Sequence, residues 1–397
     1  GALDDLAELG VNLLWMSPLF AAPGGDFGYA VVDYFRVRSD YGTADDLRQL
    51  VSLAHQRGMR VVLDLPANHT SREHRYFRQA QALGKRSHYY GFYARDGAGQ
   101  PTHYFDWDHL PNLEYGEPEV VRFMLEAARH WVAEAEVDGY RVDAAWGVRQ
   151  RNPEYWPRMR EVLGALDPDV LLLAEASARD AYYLEHGFDL TYDWTAELGH
   201  HAWEHVFDAE SGIARRLNEA VLATAERTRV LRFLNNNDTG KRFVTRHGLP
   251  LTRVATAALL TLPGVPCLYS KDEIGAEFEP YEALPQRPPA HPELRAFHRR
   301  LIEARRTRPA LASPDFQVLH AGSNDEVYAY LRGRGPEVLL VVLNFSAQRA
   351  FVRLELPQDA WPSEAARDAE SGERVKRSGA ALELAVPGWA ARIYEAN

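Results

Sequence analysis

Seven short apolar runs, none with the polar alternation of a half-exposed strand, recur along residues 11–270 and constrain the fold more than any other feature. They are VNLLWMSP (11–18), MRVVLDLPANH (59–69), GYRVDAA (139–145), VLLLAEAS (170–177), FDLTYDW (188–194), VLRFLNNND (230–238) and VPCLYS (265–270). Runs of this texture suit parallel strands covered on both faces. Between them lie amphipathic helices. In TADDLRQLVSLAHQRG, Thr43 is placed to cap, Leu47, Leu50, Val51 and Ala54 form an apolar stripe, and Gly58 stops the helix. Val121, Met124, Leu125, Ala128, Val132 and Ala135 make a second such stripe. The alternation implies an α/β domain with a parallel sheet. The count favours a (β/α)8 TIM barrel over a doubly wound sheet, with the first barrel strand missing from the chain.

The stretch 70–115 breaks this rhythm: it is rich in Tyr, His and Asp, and little helical period survives after residue 84. It is too long for a simple loop and reads as a small B subdomain inserted after the third barrel strand. After residue 312 the texture changes again. FQVLHAG, EVYAYLRG, EVLLVVLNFS, AFVRLELP and ALELAVPG are β-rich segments parted by Gly, Pro and polar turns, which predicts a C-terminal antiparallel β-sandwich over 312–397. Residues 1–69 and 116–311 are left for the barrel.

The opening GALDDLAELG is an amphipathic helix with Leu3, Leu6 and Leu9 on one side and Gly10 as its C-cap. It has neither the basic start nor the long apolar stretch of a signal peptide. A chain that opens inside a helix reads as one whose start has been trimmed, so cytoplasmic and secreted locations both stay open. The formal charge of −11 argues against nucleic acid and anionic membranes as partners. Cys267 is the only cysteine, which excludes an intrachain disulfide and argues against a cysteine-based metal site. No apolar run approaches the roughly 20 residues that span a bilayer. Nothing in the sequence specifies the oligomeric state.

In a barrel of this kind, chemistry sits at the C-terminal ends of the strands. Asp64, Asp143, Glu175 and Asp238 each close an apolar run. A carboxylate so placed is awkward to desolvate without a partner. One such acid is readily a structural ion pair; four on successive strand ends are hard to explain structurally. Paired carboxylates in a cleft suggest glycoside hydrolysis, with a nucleophile and a general acid and base whose surroundings push their pKa values apart. Arg141 lies two residues before Asp143, on the same strand face, where a fixed cation would keep Asp143 ionised. Glu175 has no basic neighbour in sequence and is flanked by alanine and leucine, surroundings that would raise its pKa and suit a proton donor. A divalent metal site is the other reading of these acids, with Asp64, Asn68 and His69 as ligands for calcium or magnesium. No HExxH or paired-histidine spacing supports catalytic zinc. The run Asn235-Asn236-Asn237 is equally double: asparagine is a poor strand residue, so the run either turns and caps a helix or holds something.

Taken in order, the motifs resemble those of the α-amylase family of glycoside hydrolases, family 13. DLPANH (64–69) looks like its strand-three motif, GYRVD (139–143) like the strand-four motif, LLLAE (171–175) like the strand of the acid/base, and FLNNND (233–238) like the strand-seven motif. LPNLE (110–114) fits the extra motif near the end of the inserted subdomain, and GYAVVDYF (28–35) the loop whose tyrosine stacks on sugar. The resemblance implies a retaining enzyme acting on starch, maltodextrin or related α-glucans. It implies Asp143 as nucleophile, Glu175 as acid/base and Asp238 as the third carboxylate, which binds sugar hydroxyls. Arg141 would orient Asp143, His69 would bond the sugar before the cleaved bond, and Tyr29 would stack beneath it. Asp64 would be structural, and Asn68 a loop anchor or calcium ligand; the chemistry itself needs no cofactor. A glucanotransferase or trehalose-forming isomerase would share all of these residues, while a non-catalytic relative would have lost the acids. Three departures stand out. Asn237 replaces the usual histidine before Asp238, Trp146 offers a stacking face where a lysine–histidine pair is common, and Lys271 replaces the glycine before the Asp272-Glu273 pair.

Overall fold

The computed structural model describes residues 1–278, 291–323 and 325–396, and it divides into two compact units, Gly1–Tyr192 and Asp193–Asn397. In the first unit the strands are β1 (Leu13–Met16), β2 (Phe20–Ala21), β3 (Asp33–Val37), β4 (Arg60–Pro66), β5 (His103–Tyr104), β6 (Trp107–Pro111), β7 (Gly139–Asp143), β8 (Leu171–Ser177) and β9 (Leu190–Tyr192). Strands β1, β4, β7, β8 and β9 lie in that order and pair parallel. Every residue of β7 is buried, as are all of β4 except its first, so two covered faces explain runs that lack alternation. The glycine that opens β7 is required by contact. Gly139 has φ +142, and a Cβ on it would lie 1.9 Å from the Leu171 carbonyl oxygen.

Both helical stripes are buried where the sequence predicts them. In Pro118–Ala135, Val121, Met124, Leu125, Ala128, Val132 and Ala135 all face the core. In Ala44–His55 the Thr43 hydroxyl accepts from the Asp46 N–H at 3.2 Å, and Leu47, Val51 and Ala54 are buried while Leu50 is half-buried. The segment 70–115 holds a helix (Arg75–Leu83), two single 3₁₀ turns and the antiparallel pair β5–β6. Its core is aromatic: Phe77, Phe92 and Tyr93 are buried, and Tyr76 stacks on Tyr89 with ring centroids 3.9 Å apart. The segment GYAVVDYF is more regular than a loop, because its end enters β3, which pairs antiparallel with β2.

In the second unit β10 (Val230–Arg232) and β11 (Val265–Pro266) pair parallel. The remaining strands are β12 (Phe316–Ala321), β13 (Val327–Arg332), β14 (Leu339–Asn344), β15 (Ala350–Glu355), β16 (Ala365–Asp368), β17 (Arg374–Lys376), β18 (Ala381–Val386) and β19 (Ala391–Ala396). They form a six-stranded antiparallel sheet, ordered β12-β13-β14-β19-β16-β17, and a two-stranded sheet of β15 and β18. Val327, Leu340, Val352, Leu354, Leu382 and Trp361 share one core, so the two sheets bury a common apolar layer. The long helix Phe243–Thr261 is interrupted at Gly248, whose φ of +74 is non-helical, two residues before Pro250.

Candidate active site

Register builds the site. Parallel pairing of β4 with β7 sets Asp64 beside Arg141, and pairing of β7 with β8 sets Val142 beside Ala174, so Asp143 and Glu175 follow as neighbours. The Arg141 Nη1 donates to Asp64 Oδ1 and Oδ2 at 2.8 and 3.0 Å and to Asp143 Oδ1 at 2.9 Å. Its Nη2 lies 3.2 Å from Glu175 Oε1, and its Nε donates to the Tyr192 hydroxyl at 3.1 Å. One fully buried guanidinium therefore joins three carboxylates. Burial opposes its charge, yet Asp64 and Glu175 outweigh that and hold its pKa well above the ordinary arginine value. Burial raises the pKa of Asp64, opposed by Arg141 and by hydrogen bonds from Tyr29 and Trp15.

The surroundings of Glu175 correct the sequence expectation of an apolar pocket. Besides facing Arg141, its Oε2 accepts the Ala144 backbone N–H at 2.7 Å. Ala144 reaches that position with φ +46 and ψ +42, a left-handed conformation uncommon outside glycine. The strain turns the chain sharply after Asp143 into the helix Ala145–Arg151. Trp15 and Tyr192, which no motif singles out, complete the shell around Arg141. The Trp15 indole N–H donates to Asp64 Oδ2 at 3.3 Å, and the rings of Trp15 and Tyr192 lie 5.2 and 5.5 Å from the Arg141 guanidinium carbon. Their only signal was an aromatic near a strand's C-terminal end.

Tyr29 donates its hydroxyl to Asp64 Oδ2 at 3.1 Å, so Asp64 holds the loop as well as Arg141. His69 is buried, and burial pushes its imidazole down to about 3, leaving it neutral. The Asn68 amide N–H lies 3.3 Å from His69 Nδ1, which makes Nδ1 the acceptor and places the ring proton on Nε2. The Tyr29 backbone opposes the pKa shift, yet Nε2 is buried and makes no hydrogen bond of good geometry among the described residues. Trp146 is half-buried, its ring centroid 5.9 Å from that of Tyr104 and 5.7 Å from that of Phe105. Tyr104 in turn lies 4.9 Å from His69, and Phe105 and Trp107 are 57% and 53% exposed.

Asn68 does not fit the calcium role. Its Oδ1 accepts from the Arg151 guanidinium and its Nδ2 donates to Asn112 Oδ1 at 2.9 Å, so the carboxamide already faces a cation. A calcium ion asks for 6–8 oxygen ligands, and one here would meet that guanidinium directly. Among the described residues, no three His, Cys, Asp or Glu side chains group to hold a metal ion.

In the second unit the asparagine run lies beyond the strand, since β10 ends at Arg232. Asn235 Oδ1 accepts the Phe243 N–H at 2.6 Å, at the start of the long helix, while its Nδ2 donates to Asp272 Oδ1 at 2.7 Å. Asn236 Oδ1 accepts the Asp238 N–H at 2.8 Å, closing a turn, and Asn237 Nδ2 donates to Asp238 Oδ1 at 3.0 Å. Asp238 is thus carried on an exposed turn rather than on a strand end. Lys271, in the glycine's place, has φ +66 and ψ +18.

Parallel strands that gather buried carboxylates at their C-terminal ends, followed by an antiparallel sandwich, define an α/β-barrel type of protein with a C-terminal β-domain. The model of the α-amylase catalytic domain matches residues 1–283, and that of the maltogenic amylase C-terminal domain matches residues 316–393. The chain belongs to the α-amylase family. It is 30% identical over 362 residues to the α-amylase MalA of Haloarcula japonica, covering 90% of this chain and 53% of that protein. It is 30% identical over 368 residues to a cyclomaltodextrinase of a Bacillus species, covering 86% of this chain and 64% of that one. The chain thus spans between half and two thirds of the length of these relatives. A solved cyclomaltodextrinase superposes with TM-score 0.88 at 24% identity, over 99% of this chain and 70% of the other. An acarbose-bound α-amylase of Geobacillus thermoleovorans gives 0.83 at 24% identity, over 99% and 90%. The fold is the (β/α)8 barrel of this family with a C-terminal antiparallel sandwich. No helix among the described residues is long and apolar enough to cross a membrane.

Proposed function

We propose that this chain is the catalytic part of a retaining glycosidase that cleaves α-1,4-glucosidic bonds of starch, maltodextrin or related α-glucans. The observation that carries the reading is the shared guanidinium: Asp143 and Glu175 meet the two terminal nitrogens of Arg141, 2.9 and 3.2 Å away. Two carboxylates held on one cation suit the short separation, about 5–5.5 Å, that double displacement needs. The names of the relatives, α-amylase and cyclomaltodextrinase, supply the substrate class.

In the first step the Asp143 carboxylate attacks the anomeric carbon while protonated Glu175 gives its proton to the glycosidic oxygen. The carbon–oxygen bond breaks and the leaving sugar departs with that proton. In the second, the Glu175 carboxylate takes a proton from water, the water oxygen attacks the anomeric carbon, and the bond to Asp143 breaks. Arg141 stabilises Asp143 as the leaving carboxylate. A neutral His69 offers its Nε2 proton to a sugar hydroxyl, and Tyr29, held by Asp64, supplies the stacking face. Asp238 is assigned to sugar hydroxyls, and Asn237 beside it, on their motif alone. Asp64 is the buried anchor that positions Arg141.

A second reading passes the glycosyl group to another sugar instead of water, as a glucanotransferase does. The exposed faces of Phe105 and Trp107 next to Trp146 favour it, because aromatic faces stack on sugar rings. Incubation with soluble starch, pullulan, cyclodextrin and maltotriose, followed by product sizing, decides. Shorter products of retained α-configuration are expected. Products longer than the substrate select transfer, and no product from any of the four, or inverted products, refutes the proposal.

A further inference from the structure

We infer that Arg151 is a built-in cation that fixes the Asn68 carboxamide and, through it, the proton position on His69, so that this loop needs no metal ion. The Arg151 Nη2 donates to the Asn68 main-chain oxygen at 3.2 Å and also to its side-chain Oδ1. These two neutral oxygens are the kind a hard cation takes as ligands. With a guanidinium on the oxygen side, the carboxamide has one stable orientation, since a flip would turn its NH2 toward five N–H donors. In that orientation Nδ2 points to Asn112 Oδ1 at 2.9 Å and to His69 Nδ1 at 3.3 Å. The second contact keeps Nδ1 an acceptor and therefore the proton on Nε2.

Three further features show that the arrangement is built in rather than incidental. Asn68, His69 and Asn112 are buried, so no water layer competes for these bonds. The helix backs directly onto the amide: a Cβ at Gly147 would lie 2.2 Å from Asn68 Oδ1, so only glycine permits this approach. Arg151 also ends the helix Ala145–Arg151, which starts directly after Asp143 and Ala144, so one short element links the end of β7 to the loop after β4. Burial opposes the charge of Arg151 and lowers its pKa, with Tyr115 and Glu114 opposing that shift. The proposed function supplies the use of the Nε2 proton, but neither readout below depends on turnover.

The test uses the full chain and two measurements. The melting temperature of the unaltered protein should be the same, within about 1 °C, in EDTA and in calcium chloride, because a ligand of the native state shifts it by mass action. A fall in EDTA or a rise with calcium overturns the inference. Arg151→Met should lower the melting temperature by about 5 °C or more, and a Met variant as stable as the parent overturns it. The second measurement is the His69 tautomer, read from imidazole nitrogen NMR shifts and assigned by loss of the signal in His69→Gln. The parent should show the Nε2–H form alone, and Arg151→Met a mixture; an Nδ1–H parent or an unchanged variant overturns the claim. Should the Met variant not fold, Arg151→Lys gives the same readings in milder form, because an ammonium lacks the planar fork. A Lys variant identical to the parent in both measurements overturns the inference as well. Absence of hydrolysis in the parent would remove the proposed function and leave these readings standing.

Discussion

Arg141 and Asp64 face each other across the register of β4 and β7, and the guanidinium bonds both oxygens of a carboxylate that is itself fully buried. Removing Asp64 leaves Arg141 with Asp143 and Glu175 but loses a buried, charge-assisted pair of hydrogen bonds, at a cost of about 1.5–3 kcal/mol. Asp64→Asn should therefore lower the stability measured by urea unfolding by that amount. It should also lower turnover, because Tyr29 and Trp15 lose their anchor on the same carboxylate. A variant with parental unfolding would show that Arg141 finds its compensation in Asp143 and Glu175 alone.

Glu175→Gln keeps the size of the side chain and an acceptor for the Ala144 N–H. It removes the proton that a departing sugar oxygen needs. Turnover of α-glucans should fall about 10²–10⁴-fold, and that of an aryl α-maltoside, whose leaving group needs little protonation, far less. Equal losses on both substrates would remove Glu175 from the acid role.

Asn237 donates to Asp238 Oδ1 at 3.0 Å from a short side chain. Asn237→His lengthens the donor and makes it titratable, so the size distribution of products from maltodextrin should shift. An unchanged distribution would mark the position as neutral for specificity.

Lys271 adopts the left-handed conformation with a side chain, where glycine would be unstrained. The strain of about 1–2 kcal/mol is partly offset by the greater chain entropy of glycine in the unfolded state. Lys271→Gly should raise stability by about 0.5–1 kcal/mol, seen as a melting temperature higher by about 2 °C. A lower melting temperature would mean that the lysine side chain contributes more than the strain costs.

His298 is buried, with Nδ1 3.0 Å from the Leu294 carbonyl oxygen, and burial lowers its pKa from 6.5 to about 4. A depressed histidine is neutral when folded and takes up a proton on unfolding. Its contribution is present above pH 6.5 and is lost as pH falls toward 4. The shift is worth up to about 3 kcal/mol. His298→Gln should flatten the decline of unfolding free energy between these pH values. An equally steep decline in the variant would assign the dependence to the other histidines that burial depresses in the same direction, His69, His74, His201 and His247.

The site was only partly legible beforehand. Asp143 and Arg141 share a strand and a parity, so their contact at 2.9 Å follows from local geometry. The surroundings of Glu175 were not legible, because its neighbours in sequence are apolar, while its neighbours in space are Arg141 on the adjacent strand and Ala144 just beyond that strand's end. Arg151 carried no signal at all, since an arginine at a helix end is ordinary until Asn68 is found beneath it. The asparagine run divides the same way: the turn and the helix cap are local, but the bond from Asn235 to Asp272 is not.

Local order is what this chain's residues determined by themselves. Seven apolar runs became seven parallel strands, and two stripes became buried helix faces, because periodicity and flanking breakers act over a few residues. Tertiary structure alone decided the rest: that Asp64, Asp143 and Glu175 share one guanidinium, and that Asn68 faces a cation from its own chain. Each of these depends on strand register or on a crossover that joins residues remote in sequence, and the energies that select a register are summed over whole faces, not written in any one segment.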